Sequence, residues 1–352
     1  MDIGLTLPNR GVLLGATTPD QMLDLAETAD QSGLFRSVWV GDSLLGKPRM
    51  ESVSLLAGIA ARTRRVRLGP ACMASFVLRD PVLLAYQWAS LDLLSGGRSV
   101  LVGCTGIVEQ PGARIEGELY GLTSGDRVSR LIEWIALLKQ LWTEDNVSFE
   151  GKHYRCAGIT IEPKPAAKPR PPIWIANNAR EDKPFAEWTA EDFAVVERTH
   201  RRCARHADGW QTSAWDPKDL EFRIEDTLKK VSEQGRDPAN FERHLYHNIN
   251  INEDGDAALE ESQRFLEEYY VPTKFPRTFV DQWVATGSPK QCAERLQQIR
   301  DLGFSEVTLR ITSWNQTDQY RRLVEEVLPL AGVRAETVSI RANTSSEPQV
   351  AC

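Results

Sequence analysis

Metal ligands are scarce and scattered in this sequence. Five histidines and six cysteines are spread over 352 residues. Cys72, Cys104, Cys156, Cys203, Cys292 and Cys352 form no CxxC pair, and no histidine cluster accompanies them. A zinc site therefore has no ligand set, and no metal is expected. A chain this long can bury a core without a disulfide framework. A basic surplus is missing too: 42 Lys and Arg against 49 Asp and Glu leave a net charge of −7. That balance excludes a nucleic-acid footprint, which needs clustered positive charge. It still allows a local pocket for one phosphate. No run of 18 apolar residues occurs and mean hydropathy is −0.36, so no membrane span is expected. The opening residues MDIGLTLPNRG carry no basic, apolar leader pattern. The expectation is a reduced, cytoplasmic protein. There is no GxSxG, no HExxH and no glycine-rich phosphate fingerprint after the first strand.

What is present is a β-then-α rhythm. Short apolar runs at 3–7, 37–40, 67–74, 99–102, 173–175, 207–212, 244–251 and 307–311 read as strands buried on both faces. Each is followed by a stretch with helical spacing. Thr18 before Pro19 and Ser288 before Pro289 read as helix N-caps. Eight such units predict an α/β fold, a (β/α)8 TIM barrel of roughly 250 residues plus insertions. A doubly wound open sheet is the alternative, but it often carries the phosphate glycines that are absent here. One domain spans residues 1–330, with insertions near 144–171, 180–195 and 271–286. Residues 331–352 read as a loose tail.

In such a barrel the active site lies at the C-terminal ends of the strands. The candidates are Asn9 and Arg10, Asp42 and Ser43, Ala71 to Met73, Cys104 to Gly106, Asn177, Asn178 and Arg180, Trp210, His247, and Arg310. No paired carboxylates stand among them, which argues against glycoside hydrolysis. No His-rich or carboxylate-rich cluster is there either, which argues against a metal hydrolase. A polar rim with small residues around Gly103 to Gly106 suits a flat organic cofactor. Plainer roles stay open. Cys104 reads equally as a buried inert thiol, Asp42 as a loop brace and Asn177-Asn178 as turn residues. Trp210 and His247 read equally as core groups, and Arg310 as an ion-pair partner. The basic run Arg198 to Arg205 reads as a solvated helix face.

A resemblance sharpens this. It rests on Leu68-Gly69, on Arg79 to Ala85 (RDPVLLA), on Leu91 to Arg98 (LDLLSGGR) and on Val102 to Gly106 (VGCTG). Leu141 to Thr143, Phe149 to Tyr154 (FEGKHY), Pro163 to Pro165, Pro171 to Ile175 and Ala207 to Trp210 follow in order, then Gly287 to Pro289 with Cys292 to Leu296. Over residues 1–330 this ordered set resembles the bacterial luciferase-like flavin-dependent oxidoreductases. The resemblance implies a barrel that binds FMN, as reduced flavin from a separate reductase, or a deazaflavin (coenzyme F420) that exchanges hydride. It implies a homodimer and a small-molecule substrate.

By position, the resemblance puts Ala71, Cys72 and Met73 against the cofactor ring, with a non-proline cis peptide there. Thr105, Gly106, Asn177 and Asn178 would also touch the cofactor, and Arg180 would pair with its phosphate. Asp42, Cys104 and Thr105 become the catalytic candidates. Asn9, Trp210, His247 and Arg310 become the substrate candidates. Two departures stand out. Asp80 replaces the histidine of a common Arg-His-Pro, and Asp42-Ser43 stands where luciferases carry a histidine. The leading expectation is a monooxygenase that uses reduced FMN and O2. The alternative is F420-dependent hydride transfer without O2, and a non-catalytic flavin-binding subunit is third.

Overall fold

A computed structural model describes residues 1–106, 111–181, 183–270 and 273–335. Its strands are β1 (Asp2–Leu7), β2 (Ser37–Val40), β3 (Arg67–Pro70), β4 (Leu101–Gly103), β5 (Val147–Glu150), β6 (Arg155–Ile159), β7 (Ile173–Ala176), β8 (Gly209–Thr212), β9 (Glu242–Ile251), β10 (Val284–Gly287) and β11 (Glu306–Ile311). The helices are α1 (Pro19–Ser32), α2 (Ser52–Arg62), α3 (Pro81–Ser95), α4 (Pro111–Leu119), α5 (Ser124–Thr143), α6 (Ala190–His206), α7 (Pro217–Glu233), α8 (Gly255–Tyr269), α9 (Arg277–Trp283), α10 (Pro289–Asp301), α11 (Gln316–Arg322) and the short α12 (Leu328–Leu330).

The expected barrel is what forms. All main-sheet pairings are parallel, in the order β3-β2-β1-β11-β9-β8-β7-β4. Bridges from Leu68 to Ser99 and from Met73 to Gly103 bring β3 back to β4, so the barrel nearly closes. Parallel strands need crossovers, and the helices supply them on the outside. Their starts are set locally. Thr18 and Ser288 each close a capping box at the head of α1 and α10. Asp80 accepts from the Leu83 amide at the head of α3, so that departure from the family pattern is a helix cap. The hairpin expected in 144–171 is β5 paired antiparallel with β6. Among the described residues no helix is long and apolar enough to cross a membrane.

Two expectations need correction. Residues 271–286 are not one irregular stretch. Val271 and Pro272 lie outside the described residues, but the rest holds α9 and β10, which pairs with the C-terminal half of β9. Residues 180–195, apart from Asp182, are no separate excursion. A short turn at Phe185–Glu187 leads into α6, whose box of Thr189 and Asp192 starts the helix at Ala190. Packing of Phe185, Trp188 and Phe193 against Phe222 of α7 holds that turn. Helix α4 was not foreseen. Of the expected tail, residues 336–352 lie outside the described residues.

The barrel interior is plugged by Trp39, Trp174 and His244, whose rings lie 4.7–5.4 Å apart. Below them sits the carboxylate of Glu306, 2% exposed. It accepts from the Trp39 indole at 3.0 Å and from the Ser37 hydroxyl, and lies 3.2 Å from His244 Nε2. Gln211 bonds His244 Nδ1 at 2.9 Å, which assigns the ring proton to Nε2, facing Glu306. Gly4 makes room for this cluster: a Cβ there would lie 2.5 Å from Ser37 Oγ. The plug is the floor on which the site is built.

Candidate active site

A cavity of about 740 Å³ opens at the C-terminal strand ends, as the fold class requires. The loop after β2 gives it Asp42, Ser43, Lys47 and Arg49. Strands β3 and β4 lead into Ala71, Cys72, Cys104, Thr105 and Gly106. Asn177 and Asn178 follow β7, Gln211 and Thr212 come from β8, Tyr246 from β9 and Arg310 from β11. Arg198, Thr199 and Arg202 look in from α6.

The wall beneath β3 and β4 is small and uncharged. The expected non-proline cis peptide is present, between Ala71 and Cys72. A hydrogen bond to Cys104 and burial together push the Cys72 thiol well up, so it faces the cavity as a neutral group. Asp42 is both a lining residue and a brace. Its Oδ1 accepts from Ser52 Oγ and its Oδ2 from the Ser75 amide, both at 2.7 Å. Arg79 lies 3.5 Å away. Both oxygens are thus committed to holding the loop behind Cys72. Asn177 donates to Thr199 Oγ1 at 2.5 Å, and Asn178 is stapled to Thr212 and Ser213. These side chains fix the loop after β7 at the rim.

Six candidates fall outside the cavity wall, Arg10 among them, its guanidinium donating to the Pro48 carbonyl at 2.5 Å. Asn9 is fully buried, and its amide bonds Gly41 and the Met50 carbonyl, tying two loops together. The Met73 side chain is buried in the core. Arg180 is taken by Asp192, with Nε 2.7 Å from the carboxylate, so it does not face a cofactor phosphate. Trp210 is core, packed near Phe304 and His200. His247 fails on strand parity. Neighbouring side chains on a strand face opposite ways, Tyr246 lines the cavity, and so His247 points outward. Burial there pushes it down to about 3, which keeps it neutral.

Arg310 was expected here and lines the cavity; the residues missed are the other charged and the aromatic ones around it. Lys47 lies 4.4 Å over the Tyr270 ring, and Arg49 lies 5.5 Å over Tyr269. Arg310 donates to the Tyr270 hydroxyl at 2.6 Å. Phe275, Phe279 and Trp283 continue the aromatic wall, with Phe275 and Phe279 stacked at 5.3 Å. Arg198 and Arg202 stand one turn apart on α6. That i, i+4 spacing was the available signal for a shared face, but it reads equally as a solvated one.

Helix α4 lies over the loop after β2. Glu116 Oε1 accepts from the amides of Leu45 and Gly46 at 2.7 and 2.9 Å. Gly112 lets the backbones meet, since a Cβ there would lie 2.3 Å from the Leu45 carbonyl oxygen. Gly112→Ala is therefore expected to push α4 off the loop, at about 1–3 kcal/mol of overpacking strain. Thermal melting should show the loss, and ligand titration should show weaker binding. An unchanged melt with unchanged binding would remove α4 from the cavity's support.

The family model for luciferase-like monooxygenases matches residues 1–186 and 193–306. The chain belongs to the luciferase-like monooxygenase family. It is therefore an oxidoreductase built for a flavin or deazaflavin cofactor. A relative from Kineococcus radiotolerans, named an F420-dependent glucose-6-phosphate dehydrogenase, is 24% identical over 336 residues, 89% of this chain and 93% of the relative. The monooxygenase RslO1 of Streptomyces bottropensis shares the luciferase-like fold, with TM-score 0.73 and 22% identity over 94% of this chain and 99% of that one. So does an F420-dependent secondary alcohol dehydrogenase, with TM-score 0.75 and 16% identity over 94% and 98%.

Proposed function

We propose that this luciferase-like protein is a coenzyme F420-dependent oxidoreductase that moves hydride to or from a small organic substrate without O2. The FMN-and-O2 reading comes second. The observation that carries the choice is the arginine pair on α6. A clamp for the cofactor phosphate, of FMN or F420 alike, was expected at Arg180, which is paired with Asp192 instead. On α6 the cations that line the cavity are Arg198, which is exposed, and Arg202, which is partly so. They sit where the cavity meets solvent. A deazaflavin of the F420 type ends in a phosphodiester and a carboxylate tail, and an open cationic rim suits a tail that runs outward. The name carried by the Kineococcus relative supports the same reading.

The residues present fit such a group. The cavity has the volume of a cofactor site, and Ala71, Cys72, Ala74, Cys104 and Ala176 leave a slot with small side walls. In it Ala71, Cys72, Cys104 and Thr105 would lie against the ring, and Thr199, Arg198 and Arg202 would hold the phosphate. When bound, the deazaflavin supplies a two-electron hydride carrier. The protein's share is geometry and water exclusion. Asp42 keeps the loop behind Cys72 in place, Asn177 and Asn178 hold the rim, and α4 covers the loop after β2.

The test is an anaerobic titration of the full chain with F420 and with oxidised and reduced FMN, followed by fluorescence. F420 should bind tightest. Arg198→Ala and Arg202→Ala should each weaken F420 about tenfold, the worth of a charged hydrogen bond at about 1.5–3 kcal/mol. Preferential binding of reduced FMN with O2-dependent turnover would overturn the proposal in favour of a monooxygenase.

A further inference from the structure

The protein carries a net charge of −7, yet its cavity is lined by five cationic side chains and three carboxylates. All three carboxylates have protein partners. Asp42 holds Ser52 and the Ser75 amide, Glu116 holds the amides of Leu45 and Gly46, and Glu181 accepts from Ser213. Away from α6, on the loop after β2 and on β11, the cavity has Lys47, Arg49 and Arg310. Arg310 is the telling residue. It is 1% exposed, and among the described residues no carboxylate pairs with it. Its Nε has no hydrogen-bond partner. Its guanidinium is held by rings, 4.1 Å over Tyr269 and 5.0 Å over Tyr246, and by the Tyr270 hydroxyl. A buried cation without a counter-charge is costly, and one that lines a cavity is placed to meet an anion there. Lys47 shares the Tyr270 ring with it.

We propose that this end of the cavity takes an organic carboxylate with a flat, unsaturated body. Its carboxylate lies on Arg310 and Lys47, and its body lies along Tyr246, Phe275, Phe279 and Trp283. The planar guanidinium matches a carboxylate in two-point geometry. The wall beside it is aromatic, with Phe279 and Trp283 5.2 Å apart and Tyr246 and Trp283 6.3 Å apart. Such a wall suits a conjugated body better than a polyol. The inference rests on the reading that the Arg198 end belongs to the cofactor.

The experiment is calorimetric titration of the full chain, with and without F420, using benzoate, benzamide, phenyl phosphate and glucose 6-phosphate. Benzoate is expected to bind at least tenfold tighter than benzamide and tighter than either phosphate. Arg310→Gln and Lys47→Gln should each weaken benzoate at least tenfold, while Arg198→Ala leaves it within twofold. If R310Q fails to fold, K47Q and R310K carry the test. Equal binding of benzamide would overturn the proposal, as would a preference for either phosphate. Loss of benzoate binding in R198A but not in K47Q would overturn it too, by placing the anion at the cofactor end. Failure of F420 to bind would sink the cofactor reading alone, because the benzoate arm is also read without it.

Discussion

Glu306→Ala is expected to destabilise the protein by about 3–5 kcal/mol, the range for breaking a buried charged cluster. The carboxylate is the common acceptor for the Ser37 hydroxyl and the Trp39 indole, and it faces His244 Nε2 at 3.2 Å. Alanine leaves the Ser37 hydroxyl and His244 Nε2 buried without this acceptor, while the Trp39 indole keeps Ser37 Oγ at 2.5 Å, and each unmet donor costs about 1–3 kcal/mol. Total stability of a domain is about 5–15 kcal/mol, so the loss is a large share. Glu306→Gln keeps one oxygen and should cost less. The pH dependence follows from the same contacts. Burial alone would raise this carboxyl, but the His244 ring, Arg67 and the Ser37 hydroxyl outweigh it and hold it down to about 2. A depressed carboxyl contributes fully above its ordinary value of 4.5 and loses that contribution as pH falls from 4.5 toward 2. Urea unfolding at pH 7, 4 and 2.5 should show this acid-sensitive component in the wild type and not in E306Q. An E306A variant within 1 kcal/mol of wild type would mean that the cluster is only packing.

The barrel was legible because its strands are short, apolar and buried on both faces, a pattern few folds require. Strand β10 was not legible. Its residues Val284 to Gly287 include a threonine and a glycine, and it pairs with only half of β9. Helix α4 was missed because its bond is tertiary, made by Glu116 to the loop amides of Leu45 and Gly46. For the site, strand ends located Asp42, Cys72, Cys104, Asn177 and Arg310, since topology alone brings those to one rim. Parity then decided against His247 and for Tyr246. Chemistry carried by the loops was out of reach. Lys47 lies seven residues beyond β2, and only the folded loop sets it over Tyr270. Arg180 was misplaced for a similar reason: Asp192, twelve residues from it, captures its guanidinium.

Lys47→Met should make the protein more stable and a poorer enzyme. Burial, then the charges of Arg49, Arg310 and Arg10, push the Lys47 ammonium down to about 8 from 10.5, with Glu181 the opposing charge. The fold thus works against this cation. The cost is fully present below about pH 8 and vanishes as pH rises toward 10.5. Methionine keeps the stem and drops the charge, so a gain of ~2 kcal/mol is expected at pH 7, after an allowance for the partial solvent contact of the site. That gain should fade between pH 8 and 10.5. Over the same interval the wild type's affinity for benzoate should fall, as Lys47 loses its charge. K47M should start about a hundredfold weaker at pH 7, consistent with about 2.7 kcal/mol for a buried charged hydrogen bond, and show a smaller fall, because burial raises the Tyr269 phenol but Arg310 and Arg49 outweigh it and hold it below its ordinary value of 10. Chemical denaturation and benzoate titration from pH 7 to 10 read both effects in one series. A variant that gained stability but bound benzoate as tightly as the wild type would leave Lys47 a buried cation without a ligand to justify it. A variant that lost stability would show that Lys47 is held by Glu181 and Tyr270 as a structural group. Both effects together would mark a residue kept at the expense of stability because the substrate needs its charge.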